Sequence, residues 1–412
     1  MSRAKIAAAA FPSLALAPLV PLLMASCAET DEARPIEEDA SSVIQPPEVD
    51  ASASDASDAG LDCDAGDPDC VANLLTCDEA DFCPMPSGVD RRHALTAVWG
   101  SGAKDVWAVG SGGTITHWDG AAWKRVPSSA VETFNAVWGS SASDVWVGGS
   151  SDAILHGTGY AGGSAVWTPA PAFVGGDEDY VYPARVHAIW GANATDVRVG
   201  GAPLLVFTPD DTISGNLLHR TSADAGSGTG WEVQSGLDGR WFDATVRAIW
   251  GSSARDVWIA LDNGNEEPWA RGTIAHGTAG AAGDPLSWTS IDSKSTAPLE
   301  SIWGSSATDV WAVGGNGIVR RFTGGASFAI VDGVPTTAAL HGVWGSGRND
   351  VWVVGDSGTI LHYDGAAWSE ATVAFPLGRK PNLKAVWGSG PNDVWVVGDA
   401  FALHFTGKKA GR

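Results

Sequence analysis

Aspartate and histidine recur through this chain at a regular spacing, as acid–base or metal chemistry would require. Asp105, Asp144, Asp196, Asp256, Asp309, Asp350 and Asp393 each open an apolar run, and His117, His156, His219, His276, His362 and His404 each stand further along the same repeat. A carboxylate beside an imidazole can act as a general base or hold a metal ion. Their regularity argues against both uses. A residue present in every copy of a repeat is spread through the structure rather than gathered in one pocket. The aspartates therefore read as turn-capping groups at strand starts. The histidines read as partly buried, hydrogen-bonded groups on third strands. No P-loop, HExxH or Ser-His-Asp signature is present, so no catalytic and no metal-ligating residue is assigned.

These residues sit in a motif that recurs seven times, from AVWGSGAKDVWAVG at Ala97 to AVWGSGPNDVWVVG at Ala385. Trp99, Trp138, Trp190, Trp250, Trp303, Trp344 and Trp387 head the copies. The shortest interval, about 40 residues, is the size of one four-stranded propeller blade. The tightest copy predicts strands from Leu340 to Trp344, Asp350 to Gly355, Thr359 to Tyr363 and Ala367 to Thr372, separated by Gly, Ser, Asn and Asp turns. The second strand, DVWVVG, is apolar at successive positions and must be covered on both faces. A blade packed between two blades meets that demand. A two-layer sandwich leaves one face wet, and a solenoid needs end caps. The seventh copy ends without a fourth strand. Residues Asp78 to Pro86 can be laid over Asp119 to Pro127, so the N-terminal segment is expected to supply it. The expected fold is an all-β, seven-bladed β-propeller of four-stranded blades, closed by an N-terminal outer strand, over residues 76–407, with a tail at 408–412.

The order DVWVVG, GTILHYDG, AAW looks like the repeats of BNR/Asp-box propellers and of photosystem-assembly propeller lipoproteins, which place an Asp-Gly turn before a Trp on the outer strand. Asp119-Gly120-Ala121-Ala122-Trp123 and Asp364-Gly365-Ala366-Ala367-Trp368 match that outline. The chain also resembles delta-proteobacterial repeat lipoproteins labelled as BNR-repeat proteins or compared with pilus-tip adhesins. The resemblance covers about residues 80 to 407. It implies the fold and leaves the activity open, because such propellers host many functions.

The N-terminus has its own logic. Arg3 and Lys5 precede an apolar run from Ile6 to Met24, and the stretch ends Ala25-Ser26-Cys27. This resembles a bacterial lipoprotein signal over residues 1–26, although Met24 stands where Leu is commoner, and it implies acylation of Cys27. Ala28, rather than Asp, is compatible with outer-membrane sorting by the same resemblance. Residues 27–75 are rich in Asp, Glu, Ala, Ser and Pro. Such a segment buries too little to offset its ordering entropy and is expected to be a disordered tether. Cys63, Cys70, Cys77 and Cys83 read as two disulfides in an exported protein. A metal site is the rival, but the spacing lacks zinc-type CxxC pairs. The formal net charge of −23 argues against nucleic acid as a partner.

Function is sought where the copies disagree. Three residues before each leading Trp stand Thr96, Asn135, His187, Arg247, Glu300, His341 and Lys384. These open the innermost strands and should ring one mouth of the channel. Longer insertions carry Asp177, Asp179, Tyr180 and Tyr182, then Asp210 and Asp211, then Trp241 and Phe242, then Glu266, Glu267 and Trp269. Aromatic and acidic residues on loops of a rigid scaffold suit a sugar, a basic protein surface or a calcium ion; no cofactor is otherwise expected. A sialidase-like site, with Arg185, Arg240, Arg247 and Tyr182, is conceivable, but no motif joins these residues.

The sequence thus describes an exported outer-membrane lipoprotein, held to the membrane by its lipid anchor. It is taken as a monomer and a non-catalytic binding module for a protein or glycan. A glycan-active enzyme and an assembly factor for a membrane complex are the alternatives. Cys27→Ser should move the protein from the membrane to the soluble fraction on cell fractionation; continued membrane retention would refute the anchor.

Overall fold

Apolar runs of about five residues, broken by Gly, Asn and Asp, are too short for helices and suit strands. The computed structural model describes residues 66–151, 153–173, 180–182, 185–207, 212–220, 230–234, 237, 244–264 and 271–407. All lie within one compact unit. Among the described residues there is no α-helix, only a 3-10 turn at Gly315–Gly317. The strands form seven antiparallel blades, and the first strand of each blade lies beside the first strand of the next. The seventh first strand, Leu383–Gly390, lies beside Leu95–Gly102 of blade one and completes the ring.

Blade six shows the plan: Leu340–Gly347, Asp350–Gly355, Ile360–Tyr363 and Trp368–Glu370 pair in sequence order. The second strands are covered on both faces, as DVWVVG requires, with Val351, Val353 and Val354 at 0% exposure. The Asp-Gly turns before the outer Trp are Asx turns. Asp364 Oδ1 accepts from the backbone N–H groups of Ala366 and Ala367, both at 2.9 Å. Gly365 follows at φ +96°, where a side chain would be strained.

Two tryptophan contacts join neighbouring blades, the second of them at six of the seven seams. On the channel side, the leading Trp of one blade lies on the glycine of the next blade's Trp-Gly pair. A Cβ built on Gly139 would sit 2.5 Å from the ring of Trp99, and one on Gly100 would sit 2.7 Å from the ring of Trp387. The invariant Trp-Gly dipeptide is thus one half of each of two successive contacts. Further out, the second-strand Trp meets an aromatic residue of the following blade's fourth-strand region edge to face. The pairs are Trp107–Trp167, Trp146–Trp231, Trp258–Phe328, Trp311–Trp368, Trp352–Phe82 and Trp395–Trp123, at 5.1–5.9 Å and interplanar angles of 80–88°.

The ring closes through the N-terminal segment. Phe82–Met85 pairs antiparallel with Phe401–Phe405, Phe82 opposite Phe405 and Met85 opposite Ala402. Cys77 and Cys83 are joined by a disulfide across this approach. Cys70 is disulfide-bonded as well; Cys63 and Cys27 lie outside the described residues.

Three features depart from the sequence reading. The short strand Cys70–Val71 pairs with Gly378–Arg379 inside the stretch expected to be an unstructured tether. A backbone hydrogen bond from Lys380 N to Asp69 O, 2.8 Å, fixes it there. Blade three has its four strands and gains one more, Tyr180–Tyr182, against Leu205, Val206 and Phe207. The insertion that begins at Ala202 is not a loop alone but an extension of the hairpin formed by Asp196–Phe207 and Thr212–Arg220. Leu204 and Val206 are buried while Phe207 is 42% exposed, the period-2 burial of a strand with one covered face.

Phe82 is fully buried and is the aromatic half of the closing contact. Phe82→Ala should cost about 3–5 kcal/mol by denaturant titration, whereas Val131→Ala, at a side chain 80% exposed, should stay within about 0.5 kcal/mol. Equal effects would refute closure through Phe82.

Candidate functional site

The recurrent aspartates and histidines meet, but only within their own blades. In blade one, His117 Nε2 lies 2.6 Å from Asp105 Oδ1, and Ser101 Oγ donates to Asp105 Oδ2 at 2.5 Å. The same arrangement holds Asp144 with His156 and Ser140, Asp256 with His276 and Ser252, Asp350 with His362 and Ser346, and Asp393 with His404 and Ser389. Each imidazole also packs on the second-strand Trp of its blade, as His276 stacks on Trp258 at 3.8 Å. In blade five Arg321 replaces the histidine, bonding Asp309 at 2.7 Å and lying over Trp311. Burial opposes ionisation of Asp105, Asp144, Asp256 and Asp393. Hydrogen bonds from their His and Ser partners outweigh it and hold these carboxyls below the usual range. The cluster pins the first-to-second-strand turn to the third strand. The capping role is legible in the sequence but the Asp–His link is not assigned there; its signal is an Asp-to-His separation of 11 or 12 residues in the four Asp–His blades without a long second-to-third-strand insertion.

The seven rim positions do converge. Thr96, Asn135, His187, Arg247, Glu300, His341 and Lys384 line one cavity of about 380 Å³ at the channel mouth, above a wall of Ala, Gly, Ser, Val and Ile. They converge because each opens the innermost strand of its blade, one register step beyond the small residue that precedes Trp. Some are committed to the scaffold: Thr96 Oγ1 donates to Phe134 O at 2.5 Å, and Asn135 Nδ2 to Val186 O at 2.9 Å. Arg247 Nη2 donates to Asp262 Oδ2 at 2.7 Å, while its buried Nε is unpartnered. His341 Nε2 lies 2.7 Å from Asp356 Oδ1, with Lys384 Nζ 3.6 Å from the same oxygen. Glu300 makes no ion pair among the described residues. The mouth therefore holds both signs of charge and free hydrogen-bonding capacity.

The insertion residues are only partly placed. Asp177, Asp179, Trp241, Phe242, Glu266, Glu267 and Trp269, with Asp210, Asp211 and Arg240, lie outside the described residues. Tyr180 is described through its backbone, in the edge strand of blade three. Tyr182 is half-exposed and packs edge-on to Phe207 at 6.0 Å, apart from the channel lining that holds Arg247. Among the described residues, no group of three or more His, Cys, Asp or Glu is placed to hold a metal ion.

His187 is lowered to about 4, by burial first and then by the charges of Arg247 and Arg185, with Asp262 acting the other way. Its folded value lies below the unfolded value of about 6.5, so the unfolded chain takes up the proton first. The stability that neutral His187 contributes is complete above the unfolded value. It falls as pH drops through the interval and is lost below about 4. An NMR titration should place the His187 midpoint near pH 4, and His187→Asn should flatten stability against pH between the two values. A midpoint at the unfolded value would contradict this account.

No protein-family model matches the chain, and no curated protein matches it. Solved structures do. A structure described as YCF48 bound to a D1 peptide aligns at TM-score 0.56 and 14% identity, covering 82% of this chain and 99% of that one. YCF48 from Cyanidioschyzon merolae aligns at TM-score 0.53 and 16% identity, covering 79% and 98%. The WD40 β-propeller domain of Doa1 aligns at TM-score 0.54 and 12% identity, covering 78% and 95%. At these identities the likeness is one of fold: what the chain shares with all three is the β-propeller.

Proposed function

We propose that this chain is a non-catalytic binding module, held at the cell envelope by acyl chains on Cys27, which takes a segment of another protein at the channel mouth. The observation that carries the reading is the rim itself. Seven positions are equivalent in the repeat, and they hold Thr, Asn, His, Arg, Glu, His and Lys around one cavity. A scaffold role would favour the same residue in each copy, as it does for the Trp-Gly pair. Variation confined to one ring, with both charges and neutral donors, suits the mixed polar groups of a polypeptide better than a uniformly charged ligand. A propeller of the same fold is described with a bound peptide, which adds support for a peptide as the ligand class. The sialidase-like alternative has less support, because Arg247 is tied to Asp262 and Tyr182 stands apart from the channel lining.

The experiment is a peptide-array and calorimetric screen of the full-length protein with Glu300→Lys and Lys384→Glu. Peptides that bind should lose about tenfold or more in affinity with at least one charge reversal. Binding indifferent to both reversals, or none at all, would sink the proposal. A glycan whose binding is lost in Lys384→Glu would replace protein with glycan as the ligand of this site.

A further inference from the structure

Six of the seven seams between blades are filled by an edge-to-face aromatic pair; among the described residues, the seam from blade three to blade four is not. At the second-strand position held elsewhere by Trp107, Trp146, Trp258, Trp311, Trp352 and Trp395, blade three has Arg198. Its counterpart across the seam, Trp288 on Ser287–Ile291, is present, and no aromatic pair joins it to blade three among the described residues. Beside Arg198, the seam holds a cavity of about 470 Å³. Asp196, Arg198, His219 and Gln234 of blade three line it with Arg255 and Asp284 of blade four. These residues lie at the first-to-second-strand turn, the opposite end of the blades from the channel mouth.

The cavity is polar in a specific way. Arg198 has only 2% of its side chain exposed. Its Nη1 bonds Asp196 and its Nη2 donates to Ala254 O at 3.3 Å, while Nε has no partner. The arginine pushes the histidine of the usual cluster outward: His219 Nε2 lies 3.3 Å from Asp196 Oδ2, a longer pairing than the 2.5–2.7 Å of the other blades. Gln234 Oε1 is also buried without a partner. Buried polar groups are nearly always hydrogen-bonded, so the two unpaired ones at this cavity, Arg198 Nε and Gln234 Oε1, are met by water or by a ligand. They are a donor and an acceptor. Hydroxyl groups both donate and accept, and a pair of them on one ring can meet both. A strongly charged ligand fits less well, because Arg198 and Arg255 face Asp196, Glu232 and Asp284. Val233 and Pro285 add apolar wall for the C–H face of a ring.

We propose that the seam between blades three and four is a binding site for a single neutral sugar residue, free or at the end of a glycan. The volume lies within the range of small-molecule pockets. This site is separate from the channel mouth and does not depend on the ligand found there.

The test is a thermal-shift and calorimetric titration of the full-length protein with glucose, galactose, mannose and N-acetylglucosamine. Oligosaccharides ending in each sugar separate a free ligand from a glycan terminus. At least one sugar should raise Tm in a concentration-dependent way. Arg198→Trp, which restores the residue of the other six blades, should fold with a Tm at or above that of the parent and lose the shift. Gln234→Leu should weaken binding by about tenfold or more, and it decides the matter if Arg198→Trp fails to fold. Lys384→Glu should leave sugar binding unchanged. No shift with any sugar, a shift unchanged in Arg198→Trp and Gln234→Leu, or one lost only in Lys384→Glu would overturn the proposal, as would protection by an acidic peptide but no sugar.

Discussion

Each blade of this protein is completed by the next, and tryptophan does the completing. The leading Trp of one blade fills the space above a glycine of its neighbour, and the second-strand Trp meets the neighbour's outer aromatic residue edge to face. A truncated buried aromatic costs about 3–5 kcal/mol, and an aromatic pair adds about 0.5–1.5 kcal/mol beyond its area. A domain is stable by only about 5–15 kcal/mol in total. No seam is therefore incidental. This explains why glycine follows every leading Trp, since the two residues are the two sides of one contact. It also explains why the ring has to close. An open seventh blade would leave Trp352 without Phe82 and the backbone of Phe401–Phe405 unpaired.

The same constraint separates scaffold from function. The Asp–His–Ser groups have the residue types of a hydrolytic triad, yet each is tied into its own turn and packed on its own Trp. Repetition consumes their hydrogen-bonding capacity inside the blade. The rim positions carry no such duty in common. Thr96 and Asn135 bond the backbone, Arg247 and His341 bond acids at the ends of second strands, and Glu300 is left unpaired among the described residues. Residues freed from the repeat's packing are the ones able to vary toward a ligand.

What could be read from sequence was whatever repeated. Seven copies of one motif expose the blade, its four strands and the missing outer strand, because each expectation is checked against six others. The continuous apolar run in DVWVVG distinguishes a strand covered on both faces from one with a wet side, and the burial of Val351, Val353 and Val354 follows from it. The single events were harder. The extension of blade three reads as a loop because it has no second copy, although Leu204-Leu205-Val206-Phe207 is a continuous apolar run of the kind a strand carries. The strand at Cys70–Val71 was hidden in an acidic, Ser- and Ala-rich segment whose composition argues for disorder. A disulfide and one backbone pairing to Gly378–Arg379 outweigh that composition locally. The convergence of the rim followed from register, but which rim groups would be tied to neighbours depended on acids at 262 and 356 that belong to different elements.

The one broken seam gains its meaning from the six intact ones. Had the aromatic pairs been scattered, an arginine at position 198 would be one more tolerated substitution. Against six pairs with near-identical geometry, it forfeits a large apolar burial and places a guanidinium where an indole would fit. Asp196 compensates the charge, but Arg198 Nε and Gln234 Oε1 remain without partners. For stability alone tryptophan would serve better there, as it does at the six other seams. An arginine that costs packing is what a binding site at this position would require.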